Sequence, residues 1–233
     1  MSRKRVNRRR LILLLAAGVL TLLPIALWAA SPNAPFRQAP EEPSAVAQHA
    51  AAEAAIPDLI LMGAKEEAKK KTRYDASYQS ISYPGGDVAP ERGACTDVVI
   101  RALRAAGYDL QRLIHEDMSE NFNLYPPLWG LSKPDSNIDH RRTQNQMVYF
   151  ERFGEKLTLE VTEAELSQWQ SGDIVYWTFP NGQEHTGIIS DRTNRAGIPL
   201  VIHNSSIARE EDCLLRWEII GHYRFPGQNL SPD

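Results

Sequence analysis

Residues 92–103 read Arg-Gly-Ala-Cys-Thr-Asp-Val-Val-Ile-Arg-Ala-Leu, a loop that runs directly into an amphipathic pattern. Apolar residues recur at helical spacing from Val98 to Ala106, and Gly107 follows as a stop signal, which predicts a helix with one face in the core. Cys95 would then lie in the first turn, where unpaired backbone N–H groups and the helix dipole favour negative charge. A thiol in that position can lose its proton near neutral pH and act as a nucleophile.

Two other interpretations of Cys95 stay open at this point. It can be a small buried residue at a helix start, or it can form a disulfide with Cys213, the second cysteine of the chain, if the compartment is oxidising. The acidic residues before Cys213 favour an exposed turn there and a less reactive thiol. The partners that the rest of the chain brings to Cys95 decide among the three.

The first thirty residues predict export. Residues 1–10 carry six basic side chains and no acid, and residues 11–30 are mostly apolar. A basic start before an apolar run is typical of a signal peptide, and twenty residues also suffice to span a bilayer. We therefore expect either a cleaved signal peptide or an uncleaved anchor in the inner membrane, with the rest of the chain in the periplasm.

Composition and charge set the organisation of the remaining chain. Without residues 1–30 it keeps 20 basic and 29 acidic side chains, and this acidic balance argues against nucleic-acid binding. We expect an Ala- and Pro-rich linker over 31–57, an α+β domain over 58–226 and a short tail over 227–233, because helical patterns precede antiparallel strand patterns. Some helix is expected over residues 45–55, and Asp58 is the expected cap of the helix that follows. We expect a monomer.

Two histidines lie where the predicted strands bring chain segments together. His185 begins one predicted strand and His203 ends the next, with a turn at 194–199 between them. In an antiparallel pair the start of one strand lies beside the end of the other, so the two rings should converge. A cysteine nucleophile needs a base and a group that orients the base. Cys95, His185 and His203 are therefore the candidate catalytic set.

A charged loop over residues 135–142 is a second candidate for binding. It ends in Asp139, His140, Arg141 and Arg142. The two arginine forks can bind an acidic peptide, and the carboxylates and histidine can instead hold a hard metal ion. The spacing defines no metal cage, so we expect neither a metal nor a cofactor. A solvated charged surface is the remaining alternative.

Longer blocks of the sequence resemble known families. Those concerned are Ser-Gly-Asp-Ile-Val-Tyr-Trp at 171–177, His-Thr-Gly-Ile-Ile-Ser-Asp at 185–191, Val-Ile-His-Asn-Ser at 201–205 and Tyr-Pro-Gly-Gly at 83–86. Their order resembles that of the NlpC-type cell-wall cysteine peptidases. Residues 92–225 more closely resemble a bacterial family catalogued as domain of unknown function 1287, through stretches such as Cys-Thr-Asp-Val-Val and Tyr-Pro-Pro-Leu-Trp-Gly-Leu.

The NlpC resemblance implies a papain-like fold, with helices first and the cysteine at a helix start packed on an antiparallel sheet that carries the two histidines. By the same resemblance Cys95 is the nucleophile, His185 the general base and His203 the orienting residue, with Tyr83 beside the thiol. The superfamily pattern Asp-Cys-Ser is Ala-Cys-Thr-Asp here, so the acid follows the cysteine. That departure puts the surroundings of the oxyanion in doubt.

The expected activity is hydrolysis of peptide bonds in the bacterial cell wall. The candidate substrate-binding residues are Tyr83, Asp97, Asp139, His140, Arg141, Arg142 and Asn204. A non-catalytic module that grips wall peptides through residues 135–142 is one alternative. Acyl transfer or deacylation through the same thioester is another, because the sequence does not separate it from hydrolysis.

Overall fold

A computed structural model describes residues 45–227. The predicted leader, most of the predicted linker and residues 228–233 of the predicted tail lie outside them. Among the residues described, no helix has both the length and the apolar character that a bilayer crossing requires.

Four α-helices make up the first half of the domain. They are α1 (Ala45–Lys70), α2 (Cys95–Ala105), α3 (Leu110–Asn121) and α4 (Thr143–Phe153), with 3-10 turns at Phe122–Leu124, Asp139–Arg141 and Leu166–Gln168. The helix expected from Ala45 is present, but the predicted cap at Asp58 is wrong, because α1 continues through Pro57 without a break. The alanine-rich stretch before Pro57 has high helix propensity, so the last residues of the expected linker are helical.

The strands form two sheets. A short parallel pair joins β1 (Arg73–Tyr74) and β2 (Arg92–Gly93). The larger sheet contains β3 (Glu155–Lys156), β4 (Ile174–Thr178), β5 (Glu184–Thr193), β6 (Pro199–Asn204), β7 (Ala208–Glu211) and β8 (Glu218–Arg224). Its order is β3-β8-β4-β5-β6-β7, and every pairing in it is antiparallel. The predicted α+β class is confirmed.

Both faces of the larger sheet are covered. Alternate residues of a strand point to opposite faces, and β4 follows this rule. Ile174 and Tyr176 pack into the main core with the helices, whereas Val175 and Trp177 pack into a second apolar cluster. Helix α2 contacts β5. This packing brings the start of α2 to the segment of β5 that carries His185.

Candidate active site

Cys95 is the first residue of α2 and is buried, with 5% of its surface exposed. Burial raises the pKa of its thiol to about 11, although the backbone N–H groups of Thr186, Thr96 and Cys95 itself act to lower it. The nearby charge of Asp97 raises it further. The expected ionisation near neutral pH is therefore wrong, because loss of solvent outweighs the helix terminus. At neutral pH the side chain of Cys95 is therefore a neutral thiol.

The two cysteines do not form a disulfide. Both are free and both are buried. Cys213 packs in the second apolar cluster with Trp177 and Leu214, so the exposed turn predicted for it is wrong. Burial raises the pKa of Cys213 to about 12. Cys95 therefore keeps its thiol available for chemistry.

The predicted convergence of the two histidines is observed. Strands β5 and β6 pair so that Gly187 lies opposite His203, two residues after His185. His185 Nε2 lies 2.8 Å from His203 Nδ1, and both rings are buried. An antiparallel register thus joins two residues that are 18 positions apart in sequence.

Glu211 extends this pair into a chain of three. His203 Nε2 lies 3.0 Å from Glu211 Oε2, and the same carboxylate accepts from Arg209 at 2.8 Å and contacts Arg216 at 2.7 Å. Partial burial acts to raise the pKa of Glu211, but the hydrogen bonds from Arg209, Arg216 and His203 lower it to about 2. At neutral pH Glu211 is an anion that only accepts hydrogen bonds.

The anion fixes the tautomer of both rings. Because Glu211 only accepts, the proton of His203 lies on Nε2 and its Nδ1 is an acceptor. His185 must then donate from its own Nε2, which leaves the lone pair on Nδ1 of His185 free to take a proton. Burial and the neighbouring His203 lower the pKa of His185 to about 3, and burial lowers that of His203. Both rings are neutral at rest.

Cys95 and His185 line one open cavity of about 640 Å³. Its other walls include Tyr74, Thr96, Trp129, Arg142, Thr143, Gln144, Phe179, Glu184 and Ser205. That volume lies within the range of small-ligand and peptide sites. A thiol and an unprotonated imidazole on one cavity can together carry out nucleophilic attack with general-base assistance.

The tyrosine beside the thiol is Tyr74 and not Tyr83. Tyr74 lines the cavity, and burial raises its pKa with a further contribution from the charge of Cys95. Tyr83 packs edge-to-face on His115 of α3 instead. The glycines after Tyr83 explain the difference, because their N–H groups bind side chains at the start of α3 and tie this segment there.

Asp97 and Arg141, both predicted to bind substrate, bind each other. Arg141 Nε and Nη2 lie 2.9 and 2.8 Å from the two oxygens of Asp97, and both side chains are buried. Asp97 also accepts from the N–H of Ala94, and Arg141 donates to the carbonyls of Ser77 and Asp75. Both residues fix the turn that carries Cys95, and Arg141 also lines the cavity, so their part in substrate binding stays a prediction.

The rest of the charged loop is also folded inward. Asp139 and His140 are buried, which excludes the solvated loop. Asp139 accepts from the N–H of Asp135 and pairs with Arg142 at 2.8 Å. Burial lowers the pKa of His140 to about 3. Arg142 lines the cavity, as Arg141 does, and stacks on Trp129.

Asn204 has a structural task as well. It is buried and donates from Nδ2 to the carbonyls of Thr72 and Gly93, at 3.1 and 2.8 Å. These bonds hold the end of β6 to β2, two residues before Cys95. Across residues 45–227, no three histidine, cysteine, aspartate or glutamate side chains gather in a way that could hold a metal ion.

Sequence reasoning missed Glu211 and Tyr74. Glu211 was grouped with the acidic residues of a supposed exposed turn, but it ends a strand that pairs with β6. The hairpin of β6 and β7 places it on the same side as His203, and a register drawn through residues 199–211 could have found it. No local pattern marks Tyr74.

Comparison with known proteins places this site in a recognised domain. Residues 61–225 match the family described as "Domain of unknown function (DUF1287)". The chain is 49% identical over 167 residues to the uncharacterized protein YijF of Escherichia coli (strain K12), which covers 71% of this chain and 80% of that protein. The family match contains Cys95, both histidines and Glu211.

Proposed function

The chain belongs to the family described as "Domain of unknown function (DUF1287)", and from its site we propose that it is an exported cysteine hydrolase that cuts amide bonds in peptides of the bacterial cell wall. One observation carries the proposal. The hydrogen-bonded chain His185–His203–Glu211 leaves an unprotonated imidazole nitrogen, Nδ1, on the residue that shares a cavity with Cys95.

In the first half of the reaction, Cys95 attacks the substrate carbonyl. The sulfur forms a bond to the carbonyl carbon while the thiol proton passes to Nδ1 of His185. This transfer belongs to the attack itself, because the resting thiol is neutral. The N–H groups of Cys95 and Thr96, at the start of α2, stabilise the oxyanion that develops.

In the second half the intermediate breaks down. The carbon–nitrogen bond breaks as His185 returns its proton to the departing amine, which leaves a thioester on Cys95. Water then attacks the thioester carbon and gives one proton to His185, and the carbon–sulfur bond breaks as the acid is released. The returned proton restores the thiol. His203 keeps the ring of His185 in place, and Glu211 offsets the positive charge that forms on the two rings.

The fold supports a papain-like, NlpC-like assignment. A cysteine starts a helix that packs on an antiparallel sheet, and the base and its orienting partner lie on adjacent strands of that sheet. The third position here is His203, which is backed by the carboxylate of Glu211. That arrangement explains how two buried neutral imidazoles keep one defined orientation.

Three features support a cell-wall peptide as substrate. The expected export would deliver the domain to the periplasm, and the sequence blocks resemble cell-wall peptidases. The cavity is also open and offers a carboxylate, Glu184, and a guanidinium, Arg142, to a ligand. Peptides that carry both an amine and a carboxylate suit such a pair of charges.

The test is release of peptide fragments from purified sacculi by the full chain. We expect release by the unchanged protein and its complete loss in Cys95→Ala. Cys213→Ala is the matched control, because it removes the other buried cysteine and should leave release intact. Release that persists in Cys95→Ala would refute the proposal for this substrate.

The same experiment separates the alternatives. A non-catalytic binding module would retain sacculi in a pull-down but release nothing, with or without Cys95. An acyltransferase would form the same thioester, so mass spectrometry would find an acyl adduct on Cys95, and an added amine would appear in the product in place of water.

A further inference from the structure

A second, smaller cavity lies beside the one that holds Cys95. Its volume is about 140 Å³, and its walls are mostly apolar, with Met118, Phe122, Tyr125 and Leu131 among them. Met118 and Tyr125 are buried, whereas Leu131 is 39% exposed at the rim. The cavity is therefore an apolar pocket with a solvent-accessible mouth.

Two residues belong to both cavities. Trp129 and Arg142 line the apolar pocket and also the cavity of Cys95. The Arg142 guanidinium carbon lies 3.9 Å from the centre of the Trp129 ring, so the two side chains form one common wall. A chain bound at Cys95 can pass this wall and place a neighbouring group in the pocket.

Asp139 and Tyr125, the buried polar side chains of the pocket, are already paired. Asp139 pairs with Arg142 at 2.8 Å and accepts from the N–H of Asp135. The hydroxyl of Tyr125 donates to Asp117 at 2.7 Å. A charged group placed against these two side chains would lose water without gaining a partner from them, which is costly. A neutral apolar group is favoured.

The volume limits the size of that group. An engineered apolar cavity of about 150 Å³ binds benzene. A pocket of about 140 Å³ therefore accepts a leucine or phenylalanine side chain and is too small for an indole. Alanine would leave most of it empty.

We infer that this pocket, built on the common wall of Trp129 and Arg142, binds one apolar side chain of a peptide substrate that flanks the amide attacked by Cys95. The inference rests on the proposed hydrolase function. It adds a substrate class, namely peptides with a medium-sized apolar side chain next to the reacting bond.

The binding test uses the full chain with Cys95→Ala, so that no turnover can occur. N-acetyl, N-methylamide derivatives of alanine, leucine, phenylalanine and tryptophan are titrated by ligand-observed NMR. We expect leucine and phenylalanine to bind at least about tenfold more tightly than alanine, since each methylene in an apolar pocket is worth about tenfold or more. Tryptophan should bind no better than alanine.

Two variants tie this preference to the pocket. Leu131→Trp fills the exposed mouth and should abolish the preference, while Phe122→Ala enlarges the pocket and should shift it toward tryptophan. Leu124→Trp is the matched control, because Leu124 is an exposed leucine of the same segment outside the pocket walls. Thermal unfolding of each variant shows whether it is folded.

Hydrolysis of the corresponding peptide amides by the unchanged protein gives a second readout. We expect kcat/KM to follow the same order as binding. Two outcomes would overturn the pocket assignment even if hydrolysis depends on Cys95. One is that leucine and phenylalanine derivatives bind no more tightly than the alanine derivative. The other is that Leu131→Trp leaves this preference unchanged. The expected binding order with no hydrolysis of any peptide would instead refute the proposed function and leave the pocket standing.

Discussion

His185 Nε2 lies 2.8 Å from His203 Nδ1, and this bond joins the base to a carboxylate two side chains away. Glu211, at the other end of this chain of side chains, sets the direction of the hydrogen bond, because an ionised carboxylate cannot donate. A charge near the protein surface thereby sets which nitrogen of the buried His185 ring carries the proton. The candidate site is a chain of three residues behind the thiol and does not depend on a preformed ion pair.

Glu211→Gln tests this dependence. Glutamine keeps the shape but can donate as well as accept, so the tautomer of His203 is no longer fixed. We expect kcat on the peptide substrate to fall by about 10- to 100-fold, the usual scale for a partner that orients a reacting group, with little change in KM. Nitrogen-15 NMR should show protonated Nε2 in both rings of the unchanged protein and mixed tautomers in the variant.

The matched control is Glu210→Gln. Glu210 lies on the same strand but bonds Ser190 and Arg192, away from the histidine pair. Its substitution should leave kcat and both tautomers unchanged. Equal effects of the two substitutions would mean that Glu211 acts only through general stability.

The convergence of His185 and His203 could be predicted because it needs only strand order and a short turn. The antiparallel rule then fixes which ends meet. Cys95 at a helix start followed in the same way from the apolar period of residues 92–103. These are local patterns, and local patterns are what a sequence shows directly.

The state of the thiol and the fate of the charged loop could not be predicted. Both depend on burial, which is decided by packing between distant segments. The raised pKa of Cys95 follows from its burial away from solvent. Arg141 forms an ion pair with Asp97, which lies 44 positions away in the sequence. From the sequence alone, a charged residue is expected to be exposed to solvent unless its buried partner is known.

Alkylation of Cys95 tests the neutral thiol. Because burial raises its pKa to about 11, the rate with iodoacetamide should keep rising as pH increases from 7 to 10, without a plateau near neutrality. Measurements in Cys213→Ala isolate Cys95 from the other thiol. A plateau reached below pH 8 would show a thiolate at rest and contradict the mechanism of concerted proton transfer.

The ion pair of Asp97 and Arg141 is expected to be costly to break. Removing one partner leaves a buried charge unpaired, so Arg141→Met should lower the free energy of unfolding by about 3–5 kcal/mol. The double variant Asp97→Asn with Arg141→Met should recover part of that loss, as a urea-unfolding double-mutant cycle would measure.

The control for this pair is Lys156→Met. Lys156 pairs with Glu151 at the surface, where both side chains are about half exposed or more. Such pairs contribute about 0–1 kcal/mol. A loss in Arg141→Met no larger than this would mean that the pair does not hold the Cys95 turn.

Buried neutral histidines also predict how stability depends on pH. Burial lowers the pKa of His140 and of His185 to about 3, whereas an unfolded histidine titrates near 6.5. Between these values the unfolded chain binds protons that the folded protein does not. Stability is therefore fully present above about pH 6.5 and falls as the pH drops toward 3.

The variant His140→Gln measures how much one histidine ring contributes to this loss of stability at low pH. Each of the two histidines should remove about 2 kcal/mol of unfolding free energy between pH 7 and pH 5, since one pKa unit corresponds to about 1.4 kcal/mol. Urea unfolding at the two pH values should therefore show a loss about 2 kcal/mol smaller in His140→Gln than in the unchanged protein. An equal loss in both proteins would mean that His140 accepts its proton in the folded state, and NMR titration of the ring would show this directly.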